Sequence, residues 1–119
     1  MPRRPHYGPR RPKHNVPVNI TETDEGFVAE VFCLGFAKEN IRISLTGPHI
    51  YISGTRQPAD DRPHFLLQEY PIRSFERWFE LSERVDRHGV TARMRDGVLT
   101  IHAPFSPDAR QPEITVAIE

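Results

Sequence analysis

The chain has 119 residues, 37% of them apolar and 27% charged, which is enough for one buried core and too little for two domains. No apolar run approaches the roughly 18 residues of a membrane-spanning helix, and no apolar stretch follows the arginines near the N-terminus, so neither a span nor a secretory signal is expected. The net charge is zero but unevenly spread: the first 20 residues hold Arg3, Arg4, Arg10, Arg11 and Lys13 and no acid, leaving 11 basic and 16 acidic side chains in the rest.

Residues 1–15 carry Pro2, Pro5, Pro9 and Pro12 with almost no apolar side chains, so a helix is excluded and a disordered or extended arm is expected. This arm reads either as a solvated tail or as a contact element for an acidic surface. From Val16 the pattern changes to period two. Val16, Val18 and Ile20 form the first run, and Asp24-Glu25-Gly26 turns the chain. Phe27, Ala29, Val31 and Cys33 then face inward with Val28, Glu30 and Phe32 outward. Gly35 to Glu39 connects to Ile41, Ile43 and Leu45, and Gly47-Pro48 leads to Ile50 and Ile52. Residues 55–68 form the longest internal loop. Phe75, Arg77, Phe79 and Leu81 share one face of the next strand, with Glu76, Trp78 and Glu80 on the other. Val90, Ala92 and Met94 precede Asp96-Gly97, a dipeptide suited to a two-residue hairpin, and Leu99 and Ile101 follow. These seven short strands without a 3.6-residue stripe predict an all-β fold, a two-sheet antiparallel β-sandwich of immunoglobulin-like type spanning 16–104. Residues 105–119 form a C-terminal extension punctuated by Pro107 and Pro112, ending in Ile114, Val116 and Ile118 on one parity.

Few side chains suggest chemistry. The six histidines show no metal-ligand spacing, no nucleophile–base set stands out, and there is no Gly-rich phosphate loop, so no catalytic, metal or cofactor site is expected and the protein reads as a non-enzyme. The single cysteine, Cys33, excludes an internal disulfide and suits the cytoplasm, the expected location. Its inward parity makes it a small buried hydrophobe rather than a redox thiol. Without aromatic interleaving the arm predicts no specific nucleic-acid binding. Arg77, at inward parity, needs a carboxylate, backbone carbonyls or a subunit boundary; Glu69 and Asp86 are the candidate local acids. Phe32 and Trp78, on expected solvent faces, are candidates for a partner-recognition patch.

At this point the chain resembles the small heat-shock proteins, built on the α-crystallin domain. Ala92 to Pro104 resembles the family's A-x-x-x-x-G-V-L-T-I-x-x-P signature. Phe75 to Leu81 with Val85-Asp86 is similar to its F-x-R-x-F-x-L-P-x-x-V-D run, Gly35 to Ile41 to its G-F-x-K-E-D-I connection, and Ile114-x-Val116 to its C-terminal I-x-I/V anchor. The resemblance covers about residues 16–119. Leu34 and Ser82 stand where the family usually has Pro, Phe32 replaces an acidic residue, and the arm is shorter and poorer in apolar residues than is typical. The 55–68 loop is also short for a bacterial-type member, in which that loop carries a strand exchanged between subunits.

The resemblance implies an ATP-independent holdase that binds unfolding client proteins and keeps them from aggregating, working as a homodimer or larger homo-oligomer away from membranes. It implies that Ile114, Val116 and Ile118 form an oligomer anchor, and that Ile41, Ile43, Leu45, Val90, Ala92 and Met94 line its receiving groove between two edge strands. The other reading of residues 114–118 is an eighth strand in their own domain. The resemblance further makes Arg77 a dimer-interface candidate and Phe32 and Trp78 client-binding candidates. Two alternative functions stand beside it: a p23-like co-chaperone, although its paired-tryptophan signature is absent, and a β-sandwich interaction module whose basic arm binds acidic surfaces.

Overall fold

Period-two alternation sets the architecture. The computed structural model describes residues 14–57, 64–107 and 118. Its strands are β1 Val18–Glu22, β2 Gly26–Phe32, β3 Ile41–Thr46, β4 His49–Thr55, β5 Ser74–Glu80, β6 Thr91–Arg95 and β7 Val98–Pro104. No α-helix occurs among the described residues; short 3-10 turns at Lys38–Asn40 and Arg87–Gly89 lead into β3 and β6. The strands pair antiparallel into two sheets, ordered β1-β2-β7-β6 and β3-β4-β5. This is the sandwich that the alternation predicts.

Local chemistry explains the joints. Asp96 and Gly97 both take positive φ, 51° and 79°, and close the β6–β7 hairpin in the left-handed turn geometry that Asp and Gly tolerate best. Gly54 on β4 lies under the Phe75 ring of β5, where a Cβ would come within 2.5 Å of a ring carbon. The missing side chain lets Phe75 lie flat over the sheet and meet Phe36 edge to face, at 5.0 Å between centroids.

The core lies between the sheets. Val31, Cys33, Leu99 and Ile101 face Ile50, Ile52, Phe75 and Phe79, joined by Val16, Phe36 and Ile72 from the connections. Each such apolar side chain contributes roughly 1.5–3 kcal/mol on burial. Two connections are pinned by Arg56, which donates to the Ile72 carbonyl at 2.6 Å and lies over the rings of Tyr70 and Phe36. The Tyr70 hydroxyl in turn donates to the Leu34 carbonyl at 2.6 Å.

Two boundaries differ from the alternation. The first strand begins at Val18, after Pro17, which has no N–H to donate to the ladder, and Val16 before it is fully buried in the core. At the other end Phe105 is 3% exposed. It bridges to Val85, packs edge-on against Phe27 at 5.4 Å and lies under the Arg84 guanidinium at 4.0 Å. The first residue read as extension is thus part of the packed body.

Candidate functional site

A sandwich with two open sheets has two seams, each where an edge strand of one sheet meets an edge strand of the other. Here the seams are β3 against β6, and β5 against β1.

At the β3–β6 seam the chain leaves an apolar groove of about 360 Å³. Ile41 and Ile43 of β3 form one wall, Ala92 and Met94 of β6 the other, with Leu99 of β7 between them; Lys38 and Glu39 of the 3-10 turn close one end. The i, i+2 pairs arise because inward-facing residues recur every second position of a strand. Ile41, Ile43 and Met94 are half-buried and Ala92 is exposed, so the groove presents apolar atoms that the body itself does not cover. Four of the six expected groove residues therefore come together. Leu45 and Val90 do not line the groove: both are half-buried and pack against the core cluster. Val90 precedes β6, as the residue that ends the Arg87–Gly89 turn. Leu99, Lys38 and Glu39 were not among the sequence candidates. The inward parity of Leu99 and the position of Lys38-Glu39 just before β3 were the available signals.

Beneath the groove lies Cys33, fully buried, its Sγ 4.0 Å from the Met94 sulfur. Burial pushes the thiol above its ordinary pKa, and a backbone hydrogen bond at Leu99 opposes this in part. A buried thiol with a raised pKa is a packing group, not a nucleophile.

The β5–β1 seam is filled by the chain's own residues 15–17. The Asn15 side-chain amide donates to the Glu76 carbonyl at 3.1 Å, the Arg77 Nη1 donates to the Val16 carbonyl at 2.7 Å, and the Phe32 amide donates to the Pro17 carbonyl at 3.0 Å. Of the partners open to Arg77 in the sequence, a backbone carbonyl is among those seen. Its guanidinium also lies 5.4 Å from the Phe79 ring centroid.

Phe32 and Trp78 keep their outward parity but are half-buried, not open to solvent. Trp78 sits opposite Tyr51 in the β4–β5 register, 6.4 Å between centroids, and meets the His49 ring edge-on at 5.1 Å. Cross-strand neighbours cover side chains that parity alone leaves exposed. Ile114 and Val116 lie outside the described residues, as do residues 1–13 and 58–63; Ile118 is described and is 99% exposed. Among the described residues no three His, Cys, Asp or Glu side chains gather as a metal site, and no helix is long and apolar enough to cross a membrane.

The sequence and fold have known counterparts. Residues 19–119 match the model of the Hsp20/alpha crystallin family. Spore protein SP21 of Stigmatella aurantiaca is 32% identical over 100 residues, covering 82% of this chain and 59% of that protein. Small heat shock protein C4 of Rickettsia felis is 26% identical, covering 83% of this chain and 62% of that protein. The chain thus spans about three-fifths of the length of these curated relatives. Among solved structures, hspA from Xanthomonas axonopodis superposes with a TM-score of 0.70 at 30% identity, covering 77% of this chain and 94% of that one. A small heat-shock protein from Xylella fastidiosa with a distinct high order structure superposes at 0.74 and 27% identity, covering 90% of this chain and all of that one.

Proposed function

The chain belongs to the Hsp20/alpha crystallin family, and from that membership we propose that it is an ATP-independent chaperone that binds unfolding proteins and holds them off aggregation. The observation that carries this reading is the apolar groove between β3 and β6, a site fitted to take an extended apolar segment rather than a small reactant. In this reading Ile114 and Val116 of one subunit enter the groove of another. Their i, i+2 spacing puts both side chains on one side of an extended chain, with Ile118 next on the same side.

The energetics favour a reversible contact. Each docked side chain contributes about 1.5–3 kcal/mol, and each ordered tether residue costs about 1–2 kcal/mol. A single contact is therefore weak, and many contacts around one assembly hold it through effective concentration while subunits still exchange. The high order structure of the Xylella fastidiosa relative supports such assembly. A dimer is the smaller unit, with Arg77 and β5 at its boundary. Clients bind the sandwich at Phe32 and Trp78 to compensate for an arm poor in apolar groups, and the protein works in the cytoplasm with no catalytic role.

The test is light scattering from a thermally unfolding protein mixed with this chain, without nucleotide. Suppression that scales with the molar ratio is expected; unaltered aggregation at a tenfold excess refutes the reading. Trp78→Ser with Phe32→Asp is expected to weaken suppression, and unchanged suppression removes the sandwich as the client surface.

A further inference from the structure

The outer face of the β3-β4-β5 sheet carries a group of side chains that the chaperone reading leaves only partly used. Tyr51 and Trp78 lie side by side across β4 and β5, with their ring planes 36° apart, and His49 meets both edge-on. All three are half-buried. Along β5 the same face alternates Glu76, Trp78 and Glu80, so an aromatic platform lies between two exposed carboxylate side chains. Arg42 shares this face but on the far strand β3, where the register sets it opposite Ser53, which in turn faces Glu76. Negative charge therefore collects at the β5 edge.

The N-terminal arm has the complementary chemistry. It contains one four-residue unit twice: Pro2-Arg3-Arg4-Pro5 and Pro9-Arg10-Arg11-Pro12. Prolines three apart return to the same side of a polyproline II helix, which has three residues per turn, and that side is what aromatic platforms accept. The intervening guanidiniums suit both aromatic faces and carboxylates. The arm also starts in the right place. The described chain begins at His14, and Asn15 is tied by its side-chain amide to the Glu76 carbonyl on β5, two residues from Trp78. Thirteen residues of polyproline II span about 40 Å, whereas a seven-residue strand such as β5 spans about 23 Å.

We propose that the Pro-Arg-Arg-Pro arm docks across the outer face of its own sheet, with its prolines and arginines on the Tyr51–Trp78–His49 platform and its positive charge against Glu76 and Glu80. The platform is then a site for a proline-rich basic segment, the arm is its resident occupant, and a client reaches Trp78 only by displacing the arm. This does not depend on chaperone activity, and the test contains no client.

Trp78 is the chain's single tryptophan, so its fluorescence reports the platform alone. The full chain is compared with a full-length variant in which Arg3, Arg4, Arg10, Arg11 and Lys13 are all changed to Gln. Each is also combined with Glu76→Gln and Glu80→Gln. Acrylamide quenching of Trp78 is expected to rise about twofold when the arm is neutralised, as a charge-assisted aromatic contact is lost. The Glu→Gln pair is expected to raise quenching with the native arm and to change nothing with the neutral arm. Equal quenching in all four proteins overturns the proposal. Shielding that ignores arm charge but disappears on dilution also overturns it, because the occupant is then a second copy's sheet.

Discussion

The two seams of the sandwich are built from the same material and finished in opposite ways. At β5–β1 the chain fills its own gap: Val16 is fully buried, and hydrogen bonds from Asn15, Arg77 and Phe32 hold residues 15–17 in place. At β3–β6 two isoleucines, a methionine and an alanine face one another across a groove. Apolar side chains between sheets stabilise where the chain covers them, and in the proposed reading they bind a second chain at β3–β6. Edge strands need covering in either case, since they attract other chains. In this reading one seam serves stability and the other serves assembly.

The largest expected effect tests the closed seam. Val16→Asp puts a carboxylate into a site with no exposure, and it should destabilise the fold by several kcal/mol or prevent folding, as an unpaired buried charge does. Chemical denaturation followed by circular dichroism measures it. The matching change at the open seam, Ala92→Asp, should shift stability by less than about 1 kcal/mol, because Ala92 is exposed, while abolishing the proposed docking in the groove. If the two substitutions cost the same, the seams do not differ as described.

Arg77→Met is expected next, with a loss of about 1–3 kcal/mol from a Val16 carbonyl left without its donor, and a fall in melting temperature of roughly 4–8 °C per kcal/mol. A loss within error would show that the guanidinium does not hold the seam closed.

How legible all this was in the sequence follows from the range of the interactions. Alternation is local, and so are turn preferences, so the seven strands and the Asp96-Gly97 hairpin could be read directly. The groove was legible in part: the family resemblance implies its two edge strands, and parity marks Ile41, Ile43, Ala92 and Met94 as sharing their inward face. Its end at Lys38 and Glu39 depends on how a 3-10 turn sits beside another strand, which no local pattern encodes. Arg77 shows the same limit. Its parity declares that it needs a partner, and one partner is a backbone carbonyl 61 residues away. Val16 continues the alternation and is buried as its parity requires, but the strand proper starts only after Pro17, which has no N–H for the ladder.

The smallest effect concerns the thiol buried behind the groove residue Met94. The Cys33 pKa is raised by burial from its ordinary value near 9. The folded state therefore favours the neutral thiol, and this contribution is fully present below the ordinary value and lost as pH rises through the raised native one. Melting temperature should fall across that alkaline window, and Cys33→Ala should flatten the fall without removing all of it. Tyr70 is raised in the same direction, mainly by burial and against the pull of Arg56, and acts higher on the pH scale. An identical pH profile in Cys33→Ala would mean the thiol is not buried in solution.

The open seam is the centre of the account, and native mass spectrometry of the full chain beside a chain ending at Pro112 tests it most directly. Removing residues 113–119 should collapse assemblies larger than a dimer while leaving the melting temperature of the sandwich unchanged. A mass distribution that is the same per subunit in both chains would contradict the assignment of the β3–β6 groove to the C-terminal tip.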